Sequence, residues 1–313
     1  MSFSKDVKEE IAKQISNARH CRLAEIAALL SACGHVIQKD GEIKSIVLQT
    51  ENIIVARKYF TLLKKTFNIN TEILIRKNKA GKNSLLFLLV VKLPKQVSLL
   101  YQATKLSLHQ EIGDKALVVD PIVVQNTCCK RAFVRGLFLA AGSMSDPEKT
   151  YHYEIVFPDS LRANQLQEII NSFLIEAKIV LRKKYYVVYV KEGSQIVDLL
   201  NIMEAHTSLM DFENVRILKE MRNSINRQVN CEAANINKTV TAAAKQIDDI
   251  LFIRDTIGFD NLTEGLEEIA ELRISYPESS LKELGAMLNP PIGKSGVNHR
   301  LKKLCSIADG LRQ

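Results

Sequence analysis

Two stretches of this chain share one pattern, 108 residues apart. Residues 26–34 and residues 134–142 are both apolar and rich in small side chains, and they end at Gly34 and Gly142. Glycine commonly stands just after the last turn of a helix. The repeat therefore predicts a duplicated unit in which each half contains one such helix.

The residues that follow each repeated helix also match between the halves. Apolar spacing after each helix predicts two short strands, a helix, two more strands and a closing helix. In the first half these lie at His35–Gln38, Lys44–Gln49, Ile53–Phe67, Thr71–Arg76, Ser84–Lys92 and Gln96–Leu106, and in the second at Ser143–Met144, Tyr153–Phe157, Leu161–Phe173, Lys178–Arg182, Tyr185–Lys191 and Gln195–Met203.

An α-β-β-α-β-β-α order that occurs twice predicts an α+β fold with two sheets, each with helices on one face. We expect the first repeat within residues 1–108. The second repeat follows within 109–208, where residues 109–126 connect the halves.

The remaining residues, 209–313, carry helical spacing without strand signals. Asparagine is concentrated between residues 222 and 239. Apolar side chains predict a long helix from about Lys238 to Thr256 and another from about Thr263 to Ser275, which ends before Pro277. This part is therefore predicted to be an all-α domain.

The end of that domain, at about residues 279–312, predicts a helix-turn-helix. Ser280 and Glu283 have capping-box spacing in front of a short helix, which must end before Pro290. Ser295 is the predicted N-cap of the next helix. The inward stripe of that helix is Val297, Leu301, Leu304 and Ala308.

The outward face of the last helix is basic and rich in hydrogen-bonding groups. Such side chains hold phosphates or read base edges when a helix enters the major groove. The alternative is a helical hairpin whose charged face is merely solvated. The candidate DNA-binding residues are Lys294, Ser295, Asn298, His299, Arg300, Lys302 and Lys303.

The charge distribution also favours a polyanionic partner. The net charge is +8, and residues 1–127 hold 19 Lys/Arg against 11 Asp/Glu. Basic pairs, extended by Lys79, Lys82 and Lys184, end matching strands of the two repeats, with Gly81 in the first hairpin turn. We expect either ordinary hairpin ends or a surface for the DNA backbone or a protein partner. These secondary candidates are Arg76, Lys77, Arg182 and Lys183, joined by Asn226 and Arg227 from the Asn-rich segment.

Several other kinds of chemistry are not supported by the sequence. The six cysteines include no CxxC pair, and neither His20-Cys21 nor Cys33 with His35 has a second pair at zinc-finger spacing. Gly293-Lys294-Ser295 lacks the first glycine and the preceding strand of a P-loop. The longest apolar run is too short to cross a bilayer, and no signal peptide is visible. We therefore expect no metal, cofactor or membrane partner, and reduced thiols in the cytoplasm.

The repeated helix resembles the LAGLIDADG motif of homing endonucleases. In that family two such helices pack through small residues, each delivers a carboxylate to shared divalent metals, and the sheets form a saddle on DNA. The positions of the metal-binding acids hold Cys33 and Ala141 here, and those of the other motif acids hold Ser31 and Leu139. The small packing residues remain, at Ala28, Ala32, Gly34, Gly136, Ala140 and Gly142. The resemblance thus implies the fold without the nuclease chemistry.

The C-terminal part resembles the WhiA family of bacterial regulators, and the resemblance covers essentially the whole chain. It rests on residues 226–230, 234–235, 238–240, 280–285 and, most specifically, on the stretch Pro290 to Leu301. It implies a degenerate LAGLIDADG domain followed by a sigma-factor-like helix-turn-helix. It also implies roles in sporulation, cell division and chromosome segregation.

Together these observations predict a non-enzymatic transcription regulator that binds double-stranded DNA. We expect it at the bacterial nucleoid, working with another regulator or with RNA polymerase. The alternative is an interaction scaffold in division or segregation, with DNA binding secondary. The oligomeric state and the target site are left open by the sequence.

Overall fold

The computed structural model of the chain describes residues 2–77, 84–111, 114–263 and 265–312. It divides into two compact units, Met1–Lys219 and Glu220–Gln313. Nowhere in the described ranges is there a helix that is both long and apolar enough to cross a membrane.

The first unit contains both predicted repeats. A short helix that the sequence did not predict, α1 (Phe3–Lys13), precedes them. The first repeat comprises α2 (Arg19–Cys33), β1 (Gly34–Lys39), β2 (Glu42–Thr50), α3 (Ile53–Phe67), β3 (Glu72–Lys77), β4 (Leu85–Val91) and α4 (Pro94–Thr104).

Between the repeats lies a hairpin of β5 (Leu106–Glu111) and β6 (Asp114–Val119), followed by a 3-10 turn at Pro121–Val124. The sequence predicted only a connector over 109–126, so that part of the prediction was incomplete. Leu106, Leu117 and Val119 are buried in the main core, which explains why these residues form ordered strands.

The second repeat comprises α5 (Thr127–Ala141), β7 (Gly142–Met144), β8 (Tyr153–Phe157), α6 (Ser160–Asn171), β9 (Lys178–Arg182), β10 (Tyr185–Val190) and α7 (Gly193–Ile202). The two sheets have the same antiparallel topology, with strand orders β1-β2-β4-β3 and β7-β8-β10-β9. The second helix of each repeat, α3 or α6, also begins in the same way, because Asn52 and Asp159 each accept a backbone N–H at the N-cap. The predicted duplication is confirmed.

Helices α2 and α5 form the seam between the repeats. Gly34 and Gly142 follow their last turns, as predicted, and donate to Leu30 O and Phe138 O. The two helices come close in the middle of the seam, where a Cβ on Gly136 would lie 2.8 Å from the Cβ of Ala28. Real Cβ atoms do not come this near, so the crossing requires a glycine at this position.

A buried cluster of charges also crosses the seam. Glu25 on α2 is fully buried, and its carboxylate lies 3.0 Å from Lys58 Nζ on α3 and 3.3 Å from Arg135 Nε on α5. Arg135 also pairs with Glu204, at 2.7 Å. The two negative and two positive charges of this cluster cancel, and this pairing offsets the cost of burying them.

The second unit is helical, as predicted. It holds the end of α8 (His206–Thr256), which begins in the first unit, together with α9 (Leu266–Ser275), α10 (Leu281–Met287) and α11 (Lys294–Leu311). The predicted start of α8 near Lys238 was wrong. Residues 220–242 are helical yet exposed, and their asparagines have low helix propensity, so neither periodicity nor composition marked them as helix.

Candidate nucleic-acid interface

Helices α10 and α11 pack as a helix-turn-helix on a base formed by α9 and the end of α8. The predicted inward stripe of α11 is confirmed, because its residues are all buried against apolar side chains of the other three helices. The shared core is Ile250, Ile253, Leu266, Ile269, Ala270, Leu284, Leu288, Val297, Leu301, Leu304 and Ala308.

The ends of α10 set the geometry of the motif. At its start the capping box is present in full: Glu283 N–H donates to the Ser280 hydroxyl, and Ser280 N–H donates to the Glu283 carboxylate. These bonds lower the pKa of Glu283. Near its end, Gly285 O accepts from Ile292 N–H at 2.9 Å. A Cβ on Gly285 would lie 2.2 Å from Ile292 O, so the tight turn needs glycine there.

The N-cap of α11 is Gly293, with no side-chain capping bond, so the prediction of Ser295 as N-cap was wrong. Ser295 instead lies in the first turn and is exposed to solvent. Because Gly293 and Gly296 carry no side chains, the free backbone N–H groups of this first turn are open to a ligand. Helix N-termini of this kind bind phosphate oxygens.

The face of α11 opposite its buried stripe does not contribute to the core. At 100° per residue, Ser295, His299, Lys302 and Ser306 fall within a narrow arc, with Lys303 and Asn298 on either side. Among the candidates, Lys294, Ser295, His299, Lys302 and Lys303 are exposed, and Asn298 is half-buried.

Arg300 lies off this face. Its guanidinium is half-buried and donates to Gly265 O at 3.2 Å, beside the start of α9. Gly265 has φ +81°, a left-handed conformation, and a Cβ there would lie 3.0 Å from Arg300 Nη1. The structure therefore places Arg300 as a tether between α11 and the turn before α9.

Two further arginines fix the helical base. Arg273 on α9 is buried and donates to the Gln246 side chain at 3.1 Å and to Ser279 O at 2.7 Å. Arg312, after α11, pairs with the buried Asp249 of α8 at 2.7 Å. These contacts join α9 and the end of α11 to α8.

The secondary candidates occupy equivalent places in the two sheets. Arg76 and Lys77 end the edge strand β3, and Arg182 ends the corresponding edge strand β9. All three are exposed, as is Lys183, which takes a positive φ of 58° in the turn after β9. Arg182 Nη1 lies 3.5 Å from Glu154 on the sheet, which offsets part of its charge.

Lys184, which extends the second basic pair, is exposed with its Nζ over the ring of Tyr185. Lys79, Gly81 and Lys82 lie outside the described residues. Asn226 and Arg227 are exposed on α8, within the second unit.

The helix ends that correspond to a LAGLIDADG metal site have a different chemistry. Burial raises the pKa of the Cys33 thiol to about 11, although Lys8 and Arg162 act in the opposite direction. Arg162 donates to the backbone carbonyl of Ser31, and the Ser31 hydroxyl donates to Leu117 O at 2.7 Å. Sequence reasoning did not place Lys8 or Arg162 here, because these residues lie on α1 and α6, far from Cys33 along the chain.

The two acids that follow these helices in sequence, Asp40 and Asp146, lie in turns. Asp40 lies in the β1–β2 turn with φ +56°, and Asp146 accepts from Glu148 N–H in the exposed turn after β7. A neutral thiol and a methyl group, with two cations nearby, do not favour a divalent metal at this position.

The sequence analysis did not find one cluster of cysteines and a histidine. His20 and Cys21, at the start of α2, lie beside Cys128 and Cys129, at the start of α5, with their ligand atoms within 4.8 Å of one another. The spacing rules considered neighbours in sequence, whereas this cluster forms across the seam. The signal that could have found it is the repeat itself, because 20 and 21 are each 108 positions before 128 and 129.

Comparisons with known proteins match successive parts of the chain to the same family. Sequence models of the WhiA N-terminal LAGLIDADG-like domain, the WhiA LAGLIDADG-like domain and the WhiA C-terminal HTH domain match residues 19–107, 130–222 and 225–308. A probable cell division protein WhiA of Lachnoclostridium phytofermentans is 96% identical over 313 residues, the full length of both chains. Another, from Alkaliphilus oremlandii, is 49% identical and covers 100% of this chain and 98% of its own.

Among solved structures, full-length WhiA from Thermatoga maritima matches with a TM-score of 0.60 and 25% identity, covering 99% of this chain and 98% of its own. The N-terminal LAGLIDADG domain of a WhiA matches with a TM-score of 0.50 and 21% identity, covering 64% of this chain and 90% of its own. A LAGLIDADG-like saddle followed by a helical helix-turn-helix region is therefore the fold of this chain, and the chain belongs to the WhiA family.

Proposed function

We propose that this protein is a sequence-selective DNA-binding regulator that does not cut DNA, with α11 as its reading helix. The observation that carries the proposal is the exposed face of α11. It combines cations with donor and acceptor groups, and it stands on a core that holds the helix rigidly. This is the arrangement by which a helix-turn-helix enters the major groove.

Different roles follow for the residues of that face. Lys294, Lys302 and Lys303 supply charge for phosphates, and Ser295 adds a hydroxyl beside the free N–H groups of the first turn. Asn298 and His299 each offer a donor and an acceptor, which is what reading a base edge requires. Arg300 acts indirectly, by holding α11 against the turn before α9.

The loss of nuclease chemistry belongs to the same proposal. The positions of the LAGLIDADG acids hold Cys33 and Ala141. The positive charges of Lys8 and Arg162 lie close enough to Cys33 to affect its thiol. The saddle then serves to position the DNA-binding unit or to dock a partner. The basic ends of β3 and β9, with Asn226 and Arg227, are secondary contacts for the DNA backbone or that partner.

The biological setting comes from the relatives, which are named probable cell division proteins. We propose that the chain regulates transcription in bacterial cell division, at the nucleoid in the cytoplasm, together with another regulator or RNA polymerase. Roles in sporulation and chromosome segregation are the further extension of this proposal.

The test is DNA binding by the full chain, measured by fluorescence anisotropy against salt concentration. Lys303→Ala should weaken binding and lower the salt slope by about one unit, since one phosphate contact is lost. Asn298→Ala should cost about 1–3 kcal/mol and relax preference at one base pair. Lys65→Ala, which removes an exposed charge from α3, is the matched control. Equal effects of Lys303→Ala and Lys65→Ala would contradict the proposal.

A second candidate, an interaction scaffold, is favoured by the edge of the first sheet. Edge strand β3 exposes Ile73 and Ile75 by 51% and 60%. Exposed apolar edge strands commonly pair with another chain. If the protein acts chiefly as a scaffold, changes to α11 should leave its role in division intact, whereas Ile75→Lys should abolish it.

A further inference from the structure

The cysteine–histidine cluster joins the two repeats at the starts of their seam helices. His20 and Cys21 occupy the second and third positions of α2, and Cys128 and Cys129 occupy the same positions of α5. The internal symmetry of the fold thus brings together four side chains of the types that bind soft or borderline metals.

The distances in the cluster all converge on one atom. His20 Nδ1 lies 3.1 Å from Cys129 Sγ, 3.4 Å from Cys21 Sγ and 3.9 Å from Cys128 Sγ. A ring nitrogen has one lone pair or one proton, so it can satisfy one of these thiols by a hydrogen bond but not all three. The thiols also hydrogen-bond to one another, so the four side chains form one compact group of potential ligand atoms.

The geometry also matches that of a tetrahedral zinc site. With Zn–S of about 2.3 Å and Zn–N of about 2.0–2.1 Å, tetrahedral angles place the nitrogen about 3.6 Å from each sulfur. The three distances in the structure lie on either side of that value. Three sulfurs and one nitrogen form a Cys₃His set, which is usual for structural zinc.

The surroundings suit a bound ion that enters from solvent. Cys21 and Cys129 are buried against Ala24 and Ala132, which form an apolar floor. His20 and Cys128 are exposed, so one side of the cluster is open. All three sulfurs lie in the first turn of a helix, at the positive end of the helix dipole.

We propose that His20, Cys21, Cys128 and Cys129 form a structural zinc site that ties the start of α2 to the start of α5. All four positions of the ion are filled by protein, which leaves none for a substrate. The ion adds a cross-link between repeats that are 108 residues apart in sequence. It acts at the end of the seam opposite Cys33 and Ala141 and does not depend on the proposed function of α11.

The experiment uses the full chain without a polyhistidine tag, purified under reducing conditions and dialysed against zinc-free buffer. Elemental mass spectrometry should find about one zinc per chain. After removal of zinc, added Co²⁺ should give the strong visible bands of tetrahedral cobalt and a near-ultraviolet sulfur-to-cobalt charge-transfer band. Fewer than about one zinc per ten chains, together with octahedral cobalt spectra, would overturn the proposal.

Two serine variants separate this site from adventitious metal. Cys128 is exposed, so Cys128→Ser leaves the packing intact and should abolish stoichiometric zinc and the cobalt bands. Cys231→Ser, at another exposed cysteine on α8, should change neither. An equal loss of zinc and of the cobalt bands in both variants would contradict the assignment. So would a Cys21–Cys129 disulfide that forms despite the reducing conditions.

Discussion

The carboxylate of Glu25 lies between two cations at the centre of the first unit. Its side chain has no exposed surface, and those of Lys58 and Arg135 are 1% and 2% exposed. Glu25→Gln keeps the shape and removes the charge, which leaves an excess positive charge in the seam. Removing one member of a buried ion pair typically costs about 3–5 kcal/mol.

For Glu25→Gln the structure indicates a loss of stability at the lower end of that range. Arg135 retains Glu204, whose side chain is 40% exposed, so the loss falls mainly on Lys58. Burial already lowers the pKa of Lys58, and Glu25 opposes that shift. In the variant Lys58 can therefore lose its proton, which limits the cost. A loss of about 3 kcal/mol corresponds to about 6–12 °C in Tm for a unit of this size.

The pH dependence follows from the same group. A lysine whose pKa is lower in the folded than in the unfolded state binds fewer protons when folded, so stability rises with pH between the two values. Because Glu25→Gln lowers the folded pKa further, the deficit of the variant should shrink between pH 7 and pH 9.5.

Differential scanning calorimetry of the full chain at both pH values measures this directly. Glu42→Gln, which removes an exposed pair with Lys44, is the control and should leave the transition unchanged. A melting temperature for Glu25→Gln equal to that of the control, or a deficit that grows with pH, would refute the reasoning.

Three further changes test the glycines and the last helix. Gly285→Ala places a methyl group against a backbone carbonyl of the turn and should abolish DNA binding, whereas Gly310→Ala, with open space around it, should not. Gly136→Val overpacks the seam and should cost about 1–3 kcal/mol in calorimetric stability; unchanged melting would argue against the close crossing. Arg300→Ala should lower the melting temperature of the second unit, and Lys303→Ala should leave it unchanged while weakening DNA binding; the reverse pattern would exchange their roles.

The sequence predicted most of the elements whose signals are local. The glycine-ended helices, the strands between them and the Ser280 capping box depend on spacing within a few residues, and all are present. The inward stripe of α11 was likewise readable from its period. The duplicated topology followed because the same local signals occur twice.

Features that depend on distant parts of the chain could not be read in this way. Arg300 was assigned to the outward face, but its partner Gly265 is 35 positions away and is brought near only by packing. The N-cap of α11 moved from Ser295 to Gly293 because the backbone enters the helix earlier than side-chain preference suggests. The cluster at Cys128 arises only when the two repeats are brought together.

The central claim is that the exposed face of α11 selects DNA that the protein does not cut. The measurement is sequencing of genomic fragments captured by the full chain at physiological salt with Mg²⁺ present, beside a variant with Asn298, His299, Lys302 and Lys303 all changed to alanine. We predict that the unaltered chain enriches a discrete set of intact sites and that the variant loses them. Retention of the same sites by the variant, or metal-dependent breaks within them that track with the purified protein, would contradict the account.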